Sequence, residues 1–250
     1  MLKKERHIYI LNKVQSDGRA LVSELTKELK VKEDTIRKDM QELSAKGLIK
    51  RVHGGALSIV NDKVDFNTRI DQNAKVKEEL AKLAVPILEK ADVLFIDGGT
   101  TNLKLAEKLP QSYKGRVLTN SPSVAFALSN HPHVQIYVIG GEFNKTSHVN
   151  TGSYTIKEIE RIHVELCVLG ISSIDSNLGI TVPLFEESLL KSQLIKQSSQ
   201  ILSVVTKEKL EKVSTFFVEK SNALDFLITE KSVPANIIDA YKQNGIKVLQ

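Results

Sequence analysis

From residue 76 onward the chain alternates short apolar runs with amphipathic stretches, and this rhythm restricts the fold more than any other feature. The apolar runs lie at 93–96, 117–119, 135–139, 166–170, 201–205, 226–229 and 246–249. Helical patterns occupy 77–88, 103–109, 122–129, 155–162, 186–195 and 235–244. Strands that are apolar along their whole length need cover on both faces, and helices between them supply it. The pattern therefore predicts an α/β fold with a mostly parallel sheet. In open sheets of this kind ligands bind beyond the carboxyl ends of the strands.

Those ends are unusually rich in small polar residues. The first run finishes in Asp97-Gly98-Gly99-Thr100-Thr101 and leads into a helix. Two glycines let the backbone approach an anion, two hydroxyls add donors, and the helix start contributes free N–H groups. The second run ends in Thr119-Asn120-Ser121, the third in Gly140-Gly141 and the fourth in Gly170-Ile171-Ser172-Ser173. Each alone is ordinary turn or cap chemistry. Together they predict a rim suited to a phosphorylated ligand.

The first 57 residues read differently. Ile36, Met40 and Leu43 recur at helical spacing and leave Thr35, Arg37, Lys38 and Gln41 on other faces. A second amphipathic pattern over 21–29 precedes it, and a third lies at 6–15, which makes a helix-turn-helix. After Gly47, residues 48–53 alternate as a strand and run into Gly54-Gly55, as a wing would. Residues 1–57 carry 13 Lys and Arg against 8 Asp and Glu, while the rest of the chain carries 22 of each. The formal charge of +5 thus sits entirely in the first stretch, where phosphate neutralisation requires it. The expected DNA contacts are Thr35, Arg37 and Lys38 on the helix and Lys50, Arg51, His53, Gly54 and Gly55 on the wing. His53 reads equally well as a turn-stabilising residue, and Asp39 as a structural partner of a nearby base.

These patterns divide the chain into a winged helix-turn-helix at 1–57, a linker at 58–75 with local order around Phe66 and Arg69, and an α/β domain at 76–250. Charges interrupt the first residues, and no apolar run approaches about 18 residues, so a cytoplasmic protein without membrane attachment is expected. The single cysteine, Cys167, lies in an apolar run and reads as a buried strand residue. His131 and His133 flank Pro132 without further ligands at metal-binding spacing, so neither a metal nor a cofactor is expected. The competing reading is a sugar-phosphate isomerase or deaminase fused to a DNA-binding arm. Such chemistry needs a placed proton shuttle, and Asp97, Glu142, Asp175 and Glu186 form no compact acid/base motif, so no catalytic residue is assigned.

The segments TIRKDMQELSAKGLIKRVHGGA, DGGTTNLKLAEKL, LTNSPSVAFAL and VIGGEF resemble, in order and spacing, the DeoR family of bacterial sugar-metabolism regulators. The resemblance implies a sensor domain similar to ribose-phosphate isomerase and glucosamine-phosphate deaminase, and a repressor released from double-stranded operator DNA by a phosphorylated sugar. It assigns effector contacts to Asp97, Gly98, Gly99, Thr100 and Thr101, to Thr119, Asn120 and Ser121, to Gly179, and to Lys77 and Lys209; Gly140 and Gly141 join them from the strand-end argument. Two positions depart from the family pattern. Lys32 replaces the usual capping Ser, leaving compensation to a neighbour such as Asp34, and Thr206 replaces an Asp, so the charged acceptor for a sugar hydroxyl is missing. A winged helix this small reads few base pairs alone, so a homodimer or homotetramer on paired half-sites is expected.

Overall fold

The computed structural model describes residues 2–17, 19–57 and 66–250; the first part of the expected linker, residues 58–65, lies outside them. The first stretch forms α1 (Lys3–Asp17), β1 (Arg19–Leu21), α2 (Val22–Leu29), α3 (Glu33–Ala45), β2 (Lys50–Val52) and β3 (Gly55–Leu57). The three strands make an antiparallel sheet in the order β1-β3-β2. Ile10, Val14, Leu25, Ile36, Met40, Leu43 and Ile49 close a core of their own. This is the winged helix-turn-helix that the spacing predicts. Leu21 departs from its expected helical place: it pairs with Gly55 as the end of β1 and precedes α2.

Lys32 caps α3 without any side-chain hydrogen bond. Glu33 and Asp34 in the first turn place negative charge against the helix start instead, so Asp34 compensates through charge and not through capping. Buried Asp39 accepts two hydrogen bonds from Arg6, at 2.7 and 3.1 Å, and lies 3.2 Å from His7 Nε2. The carboxylate therefore ties α3 to α1, the structural role expected of it.

The rest of the chain runs α4 (Phe66–Asp71), α5 (Ala74–Leu88), β4 (Val93–Ile96), α6 (Thr100–Glu107), β5 (Gly115–Thr119), α7 (Pro122–Leu128), β6 (Val134–Val138), β7 (Glu142–Asn144), β8 (Val149–Thr151) and α8 (Ser153–Ile159). It continues through β9 (Val164–Val168), β10 (Ser173–Asp175), β11 (Gly179–Val182), α9 (Phe185–Lys196), β12 (Ser198–Val204), β13 (Phe216–Glu219), β14 (Phe226–Ile228), α10 (Ala235–Gln243) and β15 (Lys247–Leu249). Seven strands form one parallel sheet in the order β15-β14-β12-β9-β4-β5-β6. All seven apolar runs of the sequence are its strands. Side chains alternate between two cores: Leu94, Ile96, Leu166, Val168, Leu202 and Val204 enter one, and Phe95, Cys167 and Ile201 the other. Cys167 is fully buried in β9, and burial pushes its thiol well above the ordinary range, so it is an inert core residue.

The short strands β7, β8, β10, β11 and β13 have no counterpart among the apolar runs. They pair as small antiparallel units with three or four residues each, too few for a period of two to emerge from the sequence.

Candidate ligand cleft and nucleic-acid interface

After β4 the chain builds β5 and β6 on one side, then returns to lay β9 on the other. The loops leaving β4 and β9 consequently diverge at a topological switch point, where open α/β sheets form crevices. A small open cleft lies there, lined by Gly98 to Asn102 from the first loop and Gly170 to Ser172 from the second. Arg69 of α4, Ser147, Val149, Glu187, Lys191, Val204 and Lys209 complete its walls.

Asp97 organises the floor. Fully buried, it accepts hydrogen bonds from Gly98 N at 2.7 Å and Gly170 N at 3.1 Å, and an ion pair from Lys191 Nζ at 2.5 Å. Burial works against the Lys191 charge, yet Asp97 and Glu187 outweigh it and hold the ammonium above the ordinary lysine range. Asn102 Nδ2 donates to the carbonyls of Asp97 and Val168 at 2.9 and 3.1 Å, which locks the two loops together. A Cβ at Gly170 would stand 2.1 Å from Gly98 O, so close backbone approach demands that glycine. Gly99, at φ +135°, precedes α6 with no side chain capping the helix. The first-turn N–H groups are left for an anion.

Four buried side-chain atoms lack a hydrogen-bond partner among the described residues, and two of them, Arg69 Nε and Ser147 Oγ, belong to the cleft walls. Buried polar groups are normally satisfied, so these two donors are open to an acceptor in the cleft. Arg69 is delivered by α4, whose Phe66 stacks on His148 at 4.4 Å and whose Arg69 carbonyl accepts from Lys77 Nζ at 2.5 Å.

Of the expected effector residues, Gly98, Gly99, Thr100, Thr101 and Lys209 line the cleft, and Asp97 lies beneath it. Lys209 also donates to Ile171 O at 2.8 Å. The others are placed elsewhere. Lys77 spends its ammonium on α4, and burial lowers its proton affinity. Thr119, Asn120 and Ser121 are fully buried and hold strand ends together, through Thr119 Oγ1 to Ile96 O at 2.6 Å and Ser121 Oγ to His148 O at 3.1 Å. Gly140 and Gly141 accommodate Thr155, whose hydroxyl donates to Gly140 O at 2.7 Å. Gly179 turns the β10–β11 hairpin at φ +87° beside Glu219. Thr206 donates to Glu208 at 2.6 Å and does not line the cleft. Sequence reasoning had not singled out Arg69, Ser147, Glu187 or Lys191 as ligand contacts. Only the Gly-Ile-Ser-Ser strand end and the order around Arg69 pointed this way.

In the N-terminal unit Arg37 and Lys38 are exposed on α3, Thr35 is half-buried, and Arg51 and His53 are exposed on the wing. Among the described residues Arg37 makes only a surface pair with Glu33 at 3.2 Å. Gly54 takes φ +84° at the wing turn. Two of the expected DNA contacts, Gly55 and Lys50, are packed against other parts of the protein. Gly55 is buried against β1 so closely that a Cβ there would stand 2.4 Å from Ala20 O. Lys50 turns from the wing onto the α/β domain, donating to Ser214 O at 2.8 Å, and burial lowers its proton affinity.

Residues 72–231 match the family model for the DeoR C terminal sensor domain, and residues 6–62 match the DeoR-like helix-turn-helix domain. The chain belongs to the DeoR family. Among curated relatives, this regulator is 28% identical to the HTH-type transcriptional repressor GlcR of Bacillus subtilis, over 100% of this chain and 96% of that one. It is 27% identical to the glycerol-3-phosphate regulon repressor of Escherichia coli, over 99% of each. Among solved structures, ribose 5-phosphate isomerase A of Methanocaldococcus jannaschii aligns with a TM-score of 0.40 and 11% identity over 55% of each chain, and no chemistry is transferred from it. The protein is a DNA-binding transcriptional regulator and not an enzyme. Among the described residues no helix is long and apolar enough to cross a membrane.

Proposed function

We propose that this DeoR-family regulator represses a carbohydrate operon and is released from its operator when a phosphorylated sugar occupies the cleft at the β4–β9 switch point. The observation that carries the reading is the pair of unpartnered buried atoms, Arg69 Nε and Ser147 Oγ, in a cleft that also holds the uncapped start of α6. A phosphate would supply acceptors to these donors. The relatives' roles as repressors, one of them of a glycerol-3-phosphate regulon, support the same reading.

Arg69 also supplies a route from ligand to DNA. It sits on α4, in the segment that follows the winged helix, so a ligand that engages Arg69 engages the connection between the two units. The N-terminal unit would contact operator phosphates and base edges through Thr35, Arg37, Lys38, Arg51 and His53, in a cytoplasmic homodimer or homotetramer bound to paired half-sites. The domain limits follow the same reading: 1–57 for DNA, 76–250 for sensing, and a connector at 58–75 that is helical over Phe66–Asp71.

Fluorescence anisotropy on DNA from upstream of the protein's own gene cluster tests this, with and without a panel of phosphorylated sugars and their unphosphorylated forms. Salt-sensitive binding released by one phosphosugar alone is expected. Binding that no phosphorylated compound weakens contradicts the effector reading, and a monomer on operator by light scattering contradicts the assembly.

A further inference from the structure

Glu187 stands in the first turn of α9, one turn before Lys191, and lines the cleft with only 7% of its surface exposed. Its carboxylate makes no hydrogen bond or ion pair among the described residues: Lys191, on whose ammonium its charge acts, is bonded to Asp97. Little of the residue reaches solvent, and what does lines the cleft, so the carboxylate can accept hydrogen bonds from a ligand held there. It is also an unsuitable neighbour for phosphate, which it repels. What it suits is a donor, since an ionised carboxylate only accepts hydrogen bonds and a sugar hydroxyl donates one. Thr206 cannot serve instead, as its own hydroxyl is directed at Glu208.

We propose that Glu187 is the specificity-determining residue of the cleft: it reads hydroxyl groups on the part of the ligand remote from the phosphate. The inference rests on the proposed phosphosugar reading and narrows it. The ligand is then a neutral polyol or sugar carrying phosphate at one end, and phosphorylated sugar acids are rejected because their second carboxylate would face Glu187.

Isothermal titration calorimetry on the full chain tests this with inorganic phosphate, glycerol 3-phosphate, glucose 6-phosphate, fructose 1-phosphate, fructose 6-phosphate and 6-phosphogluconate. At least one neutral sugar phosphate is expected to bind the wild type about a hundredfold more tightly than inorganic phosphate. Glu187→Gln should cut that preference about tenfold or more while inorganic phosphate binds as well or better, and the penalty against 6-phosphogluconate should shrink. Glu187→Asp, which keeps the charge and withdraws it by one methylene, should lose preference in the same way and guards against a Gln variant that fails to fold. A variant that keeps the wild-type preference, or that weakens phosphate and sugar phosphate equally, overturns the assignment and leaves the phosphosugar reading standing. A wild type that binds none of these compounds overturns both.

Discussion

Asp39 and Asp97 are both buried carboxylates gripping a cation, yet they leave opposite surroundings behind. Asp39 absorbs Arg6 and His7 inside the winged helix, and the cations beyond it, Arg37 and Lys38, stand in solvent. Asp97 absorbs Lys191 and two backbone N–H groups, and the polar atoms around it, Arg69 Nε and Ser147 Oγ, are buried without partners. In the first region the buried charge is structural, and the proposed DNA contacts fall to exposed surface cations, whose contribution is electrostatic and salt-dependent. In the second, buried charge shapes a hollow whose unpartnered groups suit the proposed ligand. DNA binding should therefore degrade gradually under mutation, and effector response abruptly.

The largest effect should come from breaking the floor of the cleft. Lys191→Met leaves Asp97 charged and unpaired, and urea unfolding should show a loss of about 3–5 kcal/mol, most of it recovered when Asp97→Asn is added. A single variant costing under about 1 kcal/mol would deny that the pair is buried and coupled. Asp39→Asn should cost less, about 2 kcal/mol, since it weakens hydrogen bonds to a partner that still reaches solvent. Effector binding by that variant should remain at the wild-type value, and a change there would blur the separation of the two regions.

Charge on the DNA side is tested by salt titration. Lys38→Ala should lower the slope of log affinity against log salt by about 1. Lys50→Ala should leave the slope unchanged, because its ammonium is docked on Ser214. Equal slopes for the two variants would mean that Lys50 leaves its dock to reach DNA.

The smallest expected effect concerns pH at the contact between the two units, where Arg19 lies 3.7 Å from buried Glu211. Burial, and then Asp175, push the Glu211 carboxyl above its ordinary value of 4.5, against hydrogen bonds from Tyr241 and Ser176 and the charge of Arg19. A carboxyl whose folded value is raised contributes stability in full below the unfolded value and loses it as pH rises through the folded one. Stability of the wild type should thus fall relative to Glu211→Gln over that interval in pH-dependent urea melts. Parallel curves would show that Glu211 ionises without cost.

The seven sheet strands were legible because each is an apolar run long enough to show itself, and α3 because Ile36, Met40 and Leu43 repeat at helical spacing. The glycine loop at 98–101 was legible because glycine and threonine at a strand end carry a mechanism of their own. Thr119 and Ser121 show why such types are ambiguous: the residues that bind anions also close turns, and in this fold their hydroxyls are bonded to Ile96 O and His148 O. The docking of Lys50 on Ser214 was not legible, because a basic wing residue looks alike whether it faces DNA or the next domain.

Sequence alone determined the two folding units, the location of the positive charge and the strand whose end begins the cleft, since periodicity and charge are local properties of the chain. Tertiary structure alone decided that Arg69, Ser147, Glu187 and Lys191 meet around that strand end. These four come from separate segments, and each is unremarkable in its own. Their chemistry arises from what the fold removes, namely water and competing partners, and no local pattern records that.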